Sequence, residues 1–170
     1  MATECSIRLR VNGVEYGRTV EARRRLGDFV REDLGLTGTH LACEHGVCGV
    51  CMVMIDGTPS LSCLTFAVQA DGCSVETVES LSPDGTLDVL QTAFWDKHAF
   101  QCGYCTPGFL MSLTALFRRT PNASDEEIKE VIDGVVCRCT GYLPIFEAAV
   151  SARDQLAARE PEMVRRAASA

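Results

Sequence analysis

No stretch of this chain approaches the roughly 18 consecutive apolar residues of a membrane-spanning helix, so a helical membrane protein is set aside. The opening residues Met1-Ala2-Thr3-Glu4-Cys5 lack the apolar core of a secretory signal, and a cytoplasmic setting is expected. Positive charge is in short supply. Sixteen Lys and Arg stand against 23 Asp and Glu, for a net charge of −7 and a pI near 5.0. A nucleic-acid or anionic-membrane partner would demand a basic patch; the one cationic run, Arg23-Arg24-Arg25, reads as solvated surface. Histidine is equally sparse, at three residues. Neither His40 nor His98 has neighbours that suggest catalysis, and His45 reads as a solvent-facing or hydrogen-bonding residue. There is no internal repeat.

What the chain does have is cysteine, ten in 170 residues, with 46% hydrophobic residues to build one domain or two small ones. In a secreted protein that count would suggest disulfides, whereas in a reducing compartment it points to metal ligation. Cys43, Cys48 and Cys51, followed by Cys63, have the C-x4-C-x2-C spacing that resembles the plant-type [2Fe–2S] ferredoxins. Gly46 and Gly49 lie where such a loop must curl, and they take positive φ at low cost. A second set, Cys102 and Cys105 with Cys137 and Cys139, stands just ahead of predicted helices, whose N-termini favour an anionic thiolate centre. Taken alone, that set suits one tetrahedral zinc as well as a second cluster. Cys5 and Cys73 fall outside both sets and read as small hydrophobes.

The periodicity divides the chain in two. Ile7, Leu9 and Val11 alternate with Arg8 and Arg10, and Asn12-Gly13 is a hairpin signal leading into Val14–Val20. Leu26, Phe29, Val30 and Leu34 have helical spacing that stops at Gly35. Met52–Ile55 and Ser60–Cys63 form a second predicted hairpin about Asp56-Gly57, and Val75–Val78 a further strand. After the turn cluster Ser82-Pro83-Asp84-Gly85 the pattern is helical. The predicted apolar faces are Leu87, Leu90, Phe94 and Trp95; Phe109 through Phe117; Ile128 through Val135; and Ile145 through about Leu156. Thr106-Pro107 reads as a capping hydroxyl ahead of a first-turn proline, and Ser124 with Glu127 as a capping box. The expected fold class is therefore α+β. Residues 1–80 are expected to form a small mixed sheet crossed by one helix, which resembles the β-grasp domain of plant-type ferredoxins, residues 86–158 a four-helix bundle, and residues 159–170 a flexible tail.

The Cys43–Cys51 loop, Cys63, the stretch Gln101 to Gly108 and the stretch Cys137 to Tyr142, in that order, resemble the small iron–sulfur subunit of the molybdenum hydroxylases. That family includes xanthine dehydrogenases, carbon monoxide dehydrogenases, aldehyde oxidoreductases and N-heterocycle hydroxylases. The resemblance covers roughly residues 4 to 156. It implies that Cys43, Cys48, Cys51 and Cys63 hold a distal [2Fe–2S] cluster on the side of a flavin, and that Cys102, Cys105, Cys137 and Cys139 hold a proximal one. Gln101 and Cys139 would contact the pterin of a molybdenum cofactor. The implied partners are a large molybdenum–pterin subunit and a medium FAD subunit, assembled as a dimer of heterotrimers. This chain would perform no substrate chemistry of its own. Leu87-Asp88, Ala42 and Met52 depart from the frequent family pattern; these positions bear on subfamily and leave the ligands untouched. A free-standing two-cluster carrier and a zinc-stabilised interaction module are the competing readings.

Overall fold

The computed structural model describes the backbone of residues 3–168 and the side chains of residues 3–158. Strands β1 (Glu4–Val11) and β2 (Val14–Glu21) pair antiparallel from Glu4↔Glu21 to Val11↔Val14. The two-residue turn has Asn12 at φ 50° and Gly13 at φ 83°, the left-handed pair that matches strand twist in a tight hairpin. Asn12 also exchanges two 2.8 Å hydrogen bonds with Thr77, which pins the turn to a segment 65 positions later in the chain. Strands β3 (Met52–Ile55), β4 (Thr58–Leu61) and β5 (Ser74–Glu76) complete a five-stranded sheet in the order β2-β1-β5-β3-β4. β5 runs parallel to β1 and antiparallel to β3, so the sheet is mixed.

Ile7, Leu9, Val11, Val53 and Val75 form the buried face of this sheet and pack on Leu26, Phe29 and Val30. The last three come from the crossing helix, which completes the expected β-grasp. Its form differs from a plain α-helix: α1 (Leu26–Asp28) passes into a π-helical turn (Phe29–Asp33), closed by Leu34 N–H donating to Phe29 C=O at 3.2 Å. Hydrophobic spacing does not encode that wider turn. The fourth strand also lies earlier than predicted. β4 ends at Leu61, and Cys63 sits in the turn beyond it.

The arginine run lies at the surface, with the Arg23 side chain 82% exposed, and its charges are paired there. Arg24 pairs with Glu32 at 2.7 Å and Asp33 at 2.8 Å, Arg23 with Glu21 at 2.9 Å, and Arg25 with Glu44. All three charges are spent within the chain.

Four further helices follow: α2 (Val89–Asp96), α3 (Thr106–Arg119), α4 (Asp125–Asp133) and α5 (Leu143–Ala168). Leu90, Phe94, Phe109, Leu113, Leu116, Ile128, Ile132, Ile145 and Ala149 make their common core. Ser124 caps α4 as expected, accepting from Glu127 N–H while Glu127 accepts from Ser124 N–H at 2.8 Å. Three expectations need correction. Trp95 lies outside the core, 63% exposed beside Phe100, because one turn of α2 already buries Leu90 and Phe94 on the opposite side. Leu87 precedes the helix and is exposed; Asp88 caps it instead, in a reciprocal pair with Gln91. Thr106 is the first residue of α3 rather than its cap, and its buried hydroxyl has no partner among the described residues. The α5 backbone continues into the predicted tail as far as Ala168; the tail's side chains lie outside the described residues. No helix among the described residues is long and apolar enough to cross a membrane.

Candidate metal centres

The first cysteine loop has no regular structure and is shaped by left-handed backbone at Glu44, Gly46 and Gly49. It coils so tightly that Cys48 N–H donates to Cys43 Sγ at 3.4 Å. The His45 amide and then Cys48 hold the Cys43 thiol down to about 6. His45 itself faces solvent, with Nδ1 bonded to the Cys43 carbonyl, and takes no ligand position. The Arg25–Glu44 ion pair fastens the loop to the start of the crossing helix. On the inner side Cys51 and Cys63 are buried. Burial, then the adjacent Cys51 thiol, pushes Cys63 up to about 11.

The second set assembles from two turns. Cys105 is the cap of α3, with Cys102 three residues ahead, while Cys137 and Cys139 lie between α4 and α5. Cys102 Sγ and Cys139 Sγ approach to 3.5 Å at the surface. The Tyr104 amide, then the Cys139 thiol, lowers Cys102; sharing a proton with Cys102 raises Cys139. Cys105 and Cys137 form the inner pair and are buried. Burial, then Cys137, pushes Cys105 up to about 12. Burial pushes Cys137 up, but hydrogen bonds from the Thr140 hydroxyl and amide, the Cys139 amide and the Cys105 thiol together hold that thiol below its ordinary value.

The structure sets Cys48 N–H against Cys43 Sγ and Cys102 Sγ against Cys139 Sγ, while Cys5 and Cys73 are half-buried outside these contacts. All ten cysteines are free thiols. Among the described residues no three His, Cys, Asp or Glu side chains converge as they would on a single ion. The second quartet gathers as two pairs, and in the first Cys51 and Cys63 do the same. This donor set fits a dinuclear iron–sulfur centre, which needs two thiolates at each iron. Gln101, next to the outer pair, is exposed.

Two contacts that sequence reasoning missed join the quartets. Val136 N–H donates to the Cys48 carbonyl at 2.9 Å, so a residue bonded to Cys137 touches a candidate ligand of the other set. Around it the backbones meet without side chains: a Cβ on Gly49 would lie 2.2 Å from the Gly134 carbonyl oxygen, and one on Gly108 would lie 2.9 Å from that of Gly49. The second contact is a clasp. His40 Nδ1–H donates to the Tyr104 carbonyl at 2.8 Å, the two rings stack at 4.6 Å, and the Tyr104 hydroxyl donates to the Leu41 carbonyl at 2.5 Å. With the partners 64 positions apart, no local pattern announces it.

Two family profiles match the chain, a [2Fe-2S] binding domain over residues 77–150 and a 2Fe-2S iron-sulfur cluster binding domain over residues 36–101. The chain is 52% identical over 145 residues to the caffeine dehydrogenase subunit gamma of Pseudomonas sp. (strain CBB1), covering 84% of this chain and 87% of that protein. It belongs to the small iron–sulfur subunits of the molybdenum hydroxylases. This small subunit is also 51% identical over 150 residues to the nicotine 6-hydroxylase small subunit of Paenarthrobacter nicotinovorans, covering 88% and 90% of the two chains. Among solved structures it resembles quinoline 2-oxidoreductase from Pseudomonas putida 86, with a TM-score of 0.86 and 45% identity over 90% of this chain and 96% of that one. The molybdenum hydroxylase small subunit is an electron-transfer component, and its α+β fold is the one expected from its sequence.

Proposed function

We propose that this chain conducts electrons from a molybdenum–pterin centre in a large partner subunit to FAD in a medium one, through two [2Fe–2S] clusters. Cys43, Cys48, Cys51 and Cys63 would hold the distal cluster, and Cys102, Cys105, Cys137 and Cys139 the proximal one. Residues 1–80 and 86–158 are the two cluster-bearing domains. When bound, each cluster takes up one electron at a time, at a potential governed by burial and by hydrogen bonds to its sulfurs.

The observation that carries this reading is the Val136–Cys48 hydrogen bond, which joins the quartets through one peptide contact. A structural zinc would have no need of such a link, and the pairing of the thiols favours a dinuclear centre over a single ion. Exposure of Gln101, Cys102 and Cys139 at one face supports docking against the pterin-bearing partner. Exposed Val47, Leu64 and Phe66 near the other quartet supply an apolar face for the flavin-bearing partner. These unpartnered faces favour a subunit over a free-standing carrier. The same chemistry suits a cytoplasmic complex, built as a dimer of heterotrimers. Relatives of nearly equal likeness are named for caffeine and for nicotine, so the substrate is chosen by the large partner.

Iron and acid-labile sulfide per chain, with low-temperature EPR during stepwise reduction, test the proposal. Four irons and two distinguishable signals are expected. Two irons, one signal and a bound zinc would remove the helical half from the electron path.

A further inference from the structure

The turn after Cys137 directs a hydroxyl at that residue. Thr140 Oγ1 lies 3.2 Å from Cys137 Sγ, and Thr140 N–H approaches the same sulfur at 3.5 Å. A third group fixes the direction of the oxygen–sulfur contact. Tyr142 N–H donates to Thr140 Oγ1 at 3.2 Å. The oxygen is therefore an acceptor toward Tyr142, and a ligating thiolate has no proton to give. The hydroxyl proton must lie on the line to sulfur. Tyr142 braces the same turn again: its phenol oxygen accepts from Cys137 N–H at 2.9 Å, and its ring packs edge-on against buried Phe109. Left-handed backbone at Gly141 and Tyr142, both with φ 69°, lets one residue make both contacts. Among the described residues no other cysteine sulfur is paired with a side-chain hydroxyl.

We propose that Thr140 sets the potential of the proximal cluster by donating its hydroxyl to Cys137, making that cluster easier to reduce. This inference rests on the two-cluster reading above. Reduction adds negative charge that spreads onto the ligand sulfurs, and a hydrogen bond to a more anionic acceptor is stronger. The donor therefore stabilises the reduced state more than the oxidised one and raises the potential. Cys137 is also the ligand whose neighbour, Val136, reaches the Cys48 carbonyl of the other set.

The test is an EPR-monitored redox titration of the whole complex carrying Thr140→Val, Thr140→Ser or the native residue. In Thr140→Val the reduced-to-oxidised ratio of one cluster at a fixed potential should fall about tenfold, equivalent to about 59 mV for one electron. Thr140→Ser should restore it, and the other cluster should titrate unchanged at four irons per chain. A valine variant that titrates with the native complex overturns the proposal, as does a serine variant shifted as far as valine. Should Thr140→Val lose iron, Thr140→Ala takes its place; if neither keeps both clusters, Thr140 is a structural residue and the proposal falls. Failure of the underlying reading looks different: the native complex would show a single [2Fe–2S] signal before any variant is made.

Discussion

Gly49→Ala is the substitution that most directly tests how the two halves are joined. Gly49 has φ 71°, and an added Cβ would stand 2.2 Å from the Gly134 carbonyl oxygen and 3.0 Å from Val135 Cα. Left-handed backbone at a residue with a Cβ costs about 1–2 kcal/mol. The clash is with backbone rather than a flexible side chain, so the packed seam must part, at an overpacking cost of about 1–3 kcal/mol. Together the loss should be about 2–5 kcal/mol, a large share of a stability of about 5–15 kcal/mol. Gly57→Ala provides the control. It has φ 77° in the turn between β3 and β4 with nothing within 4 Å, so it carries the conformational cost alone. Gly108→Ala, with a backbone oxygen at 2.9 Å and no positive φ, carries the clash, offset by the up to about 1 kcal/mol that alanine gains over glycine in a helix. Because Gly49 and Gly108 line one seam, the double variant should lose less than the two single losses combined. Urea unfolding followed by far-UV circular dichroism and cluster absorbance gives the midpoints. The magnetic splitting between the two EPR signals should also change in Gly49→Ala and stay unchanged in Gly57→Ala. If Gly49→Ala costs no more than Gly57→Ala, the seam is not a tight contact and the argument built on it fails.

Other outcomes follow from the two cysteine sets. Cys63→Ser should remove one EPR signal and two irons while leaving the other signal, and Cys105→Ser should do the converse; loss of both signals from either variant would count against independent ligation. In the cluster-free chain, alkylation read by peptide mass spectrometry should find Cys43 reactive at neutral pH, with its thiolate fraction lost as the pH falls through about 6. Cys63 and Cys105 should stay protonated and unreactive there, since their thiolates appear only toward about 11 and about 12; early labelling of Cys105 would contradict its burial. Ser124→Ala removes the cap that accepts from Glu127 N–H and should cost about 1 kcal/mol, measured as a lower unfolding midpoint with full iron retained.

The elements were legible where local chemistry decides them. Alternation in β1, the Asn12-Gly13 turn, the Ser124–Glu127 box and the cysteine spacings each act over a few residues, so the sequence displays them directly. Contacts between the halves were not legible. Gly49 reads as a residue needed for positive φ, which is correct, but its second duty of admitting Gly134 depends on a neighbour 85 positions away. His40 and Tyr104 look unremarkable apart and form a clasp only once both loops are in place. Trp95 misled because a hydrophobic face in a two-turn helix admits few residues, and its neighbour Phe94 fills the core position. Thr106 precedes a proline as a capping residue does, yet Cys105 takes the cap and leaves the threonine hydroxyl within the first turn.

Val50 lies between two cysteines of the first quartet, yet its side chain belongs to the core of the helical half. That crossing bears on how such a chain can change over evolutionary time. Modules that meet only through a linker can be recombined, each bringing its own centre to a new context. Here a β-grasp half joined to a foreign helical half would carry Val50 into a core not shaped for it and present Gly49 to an unmatched backbone. The packing across this seam therefore ties the two halves together, so that a change of either half at Gly49 or Val50 must be matched by the other.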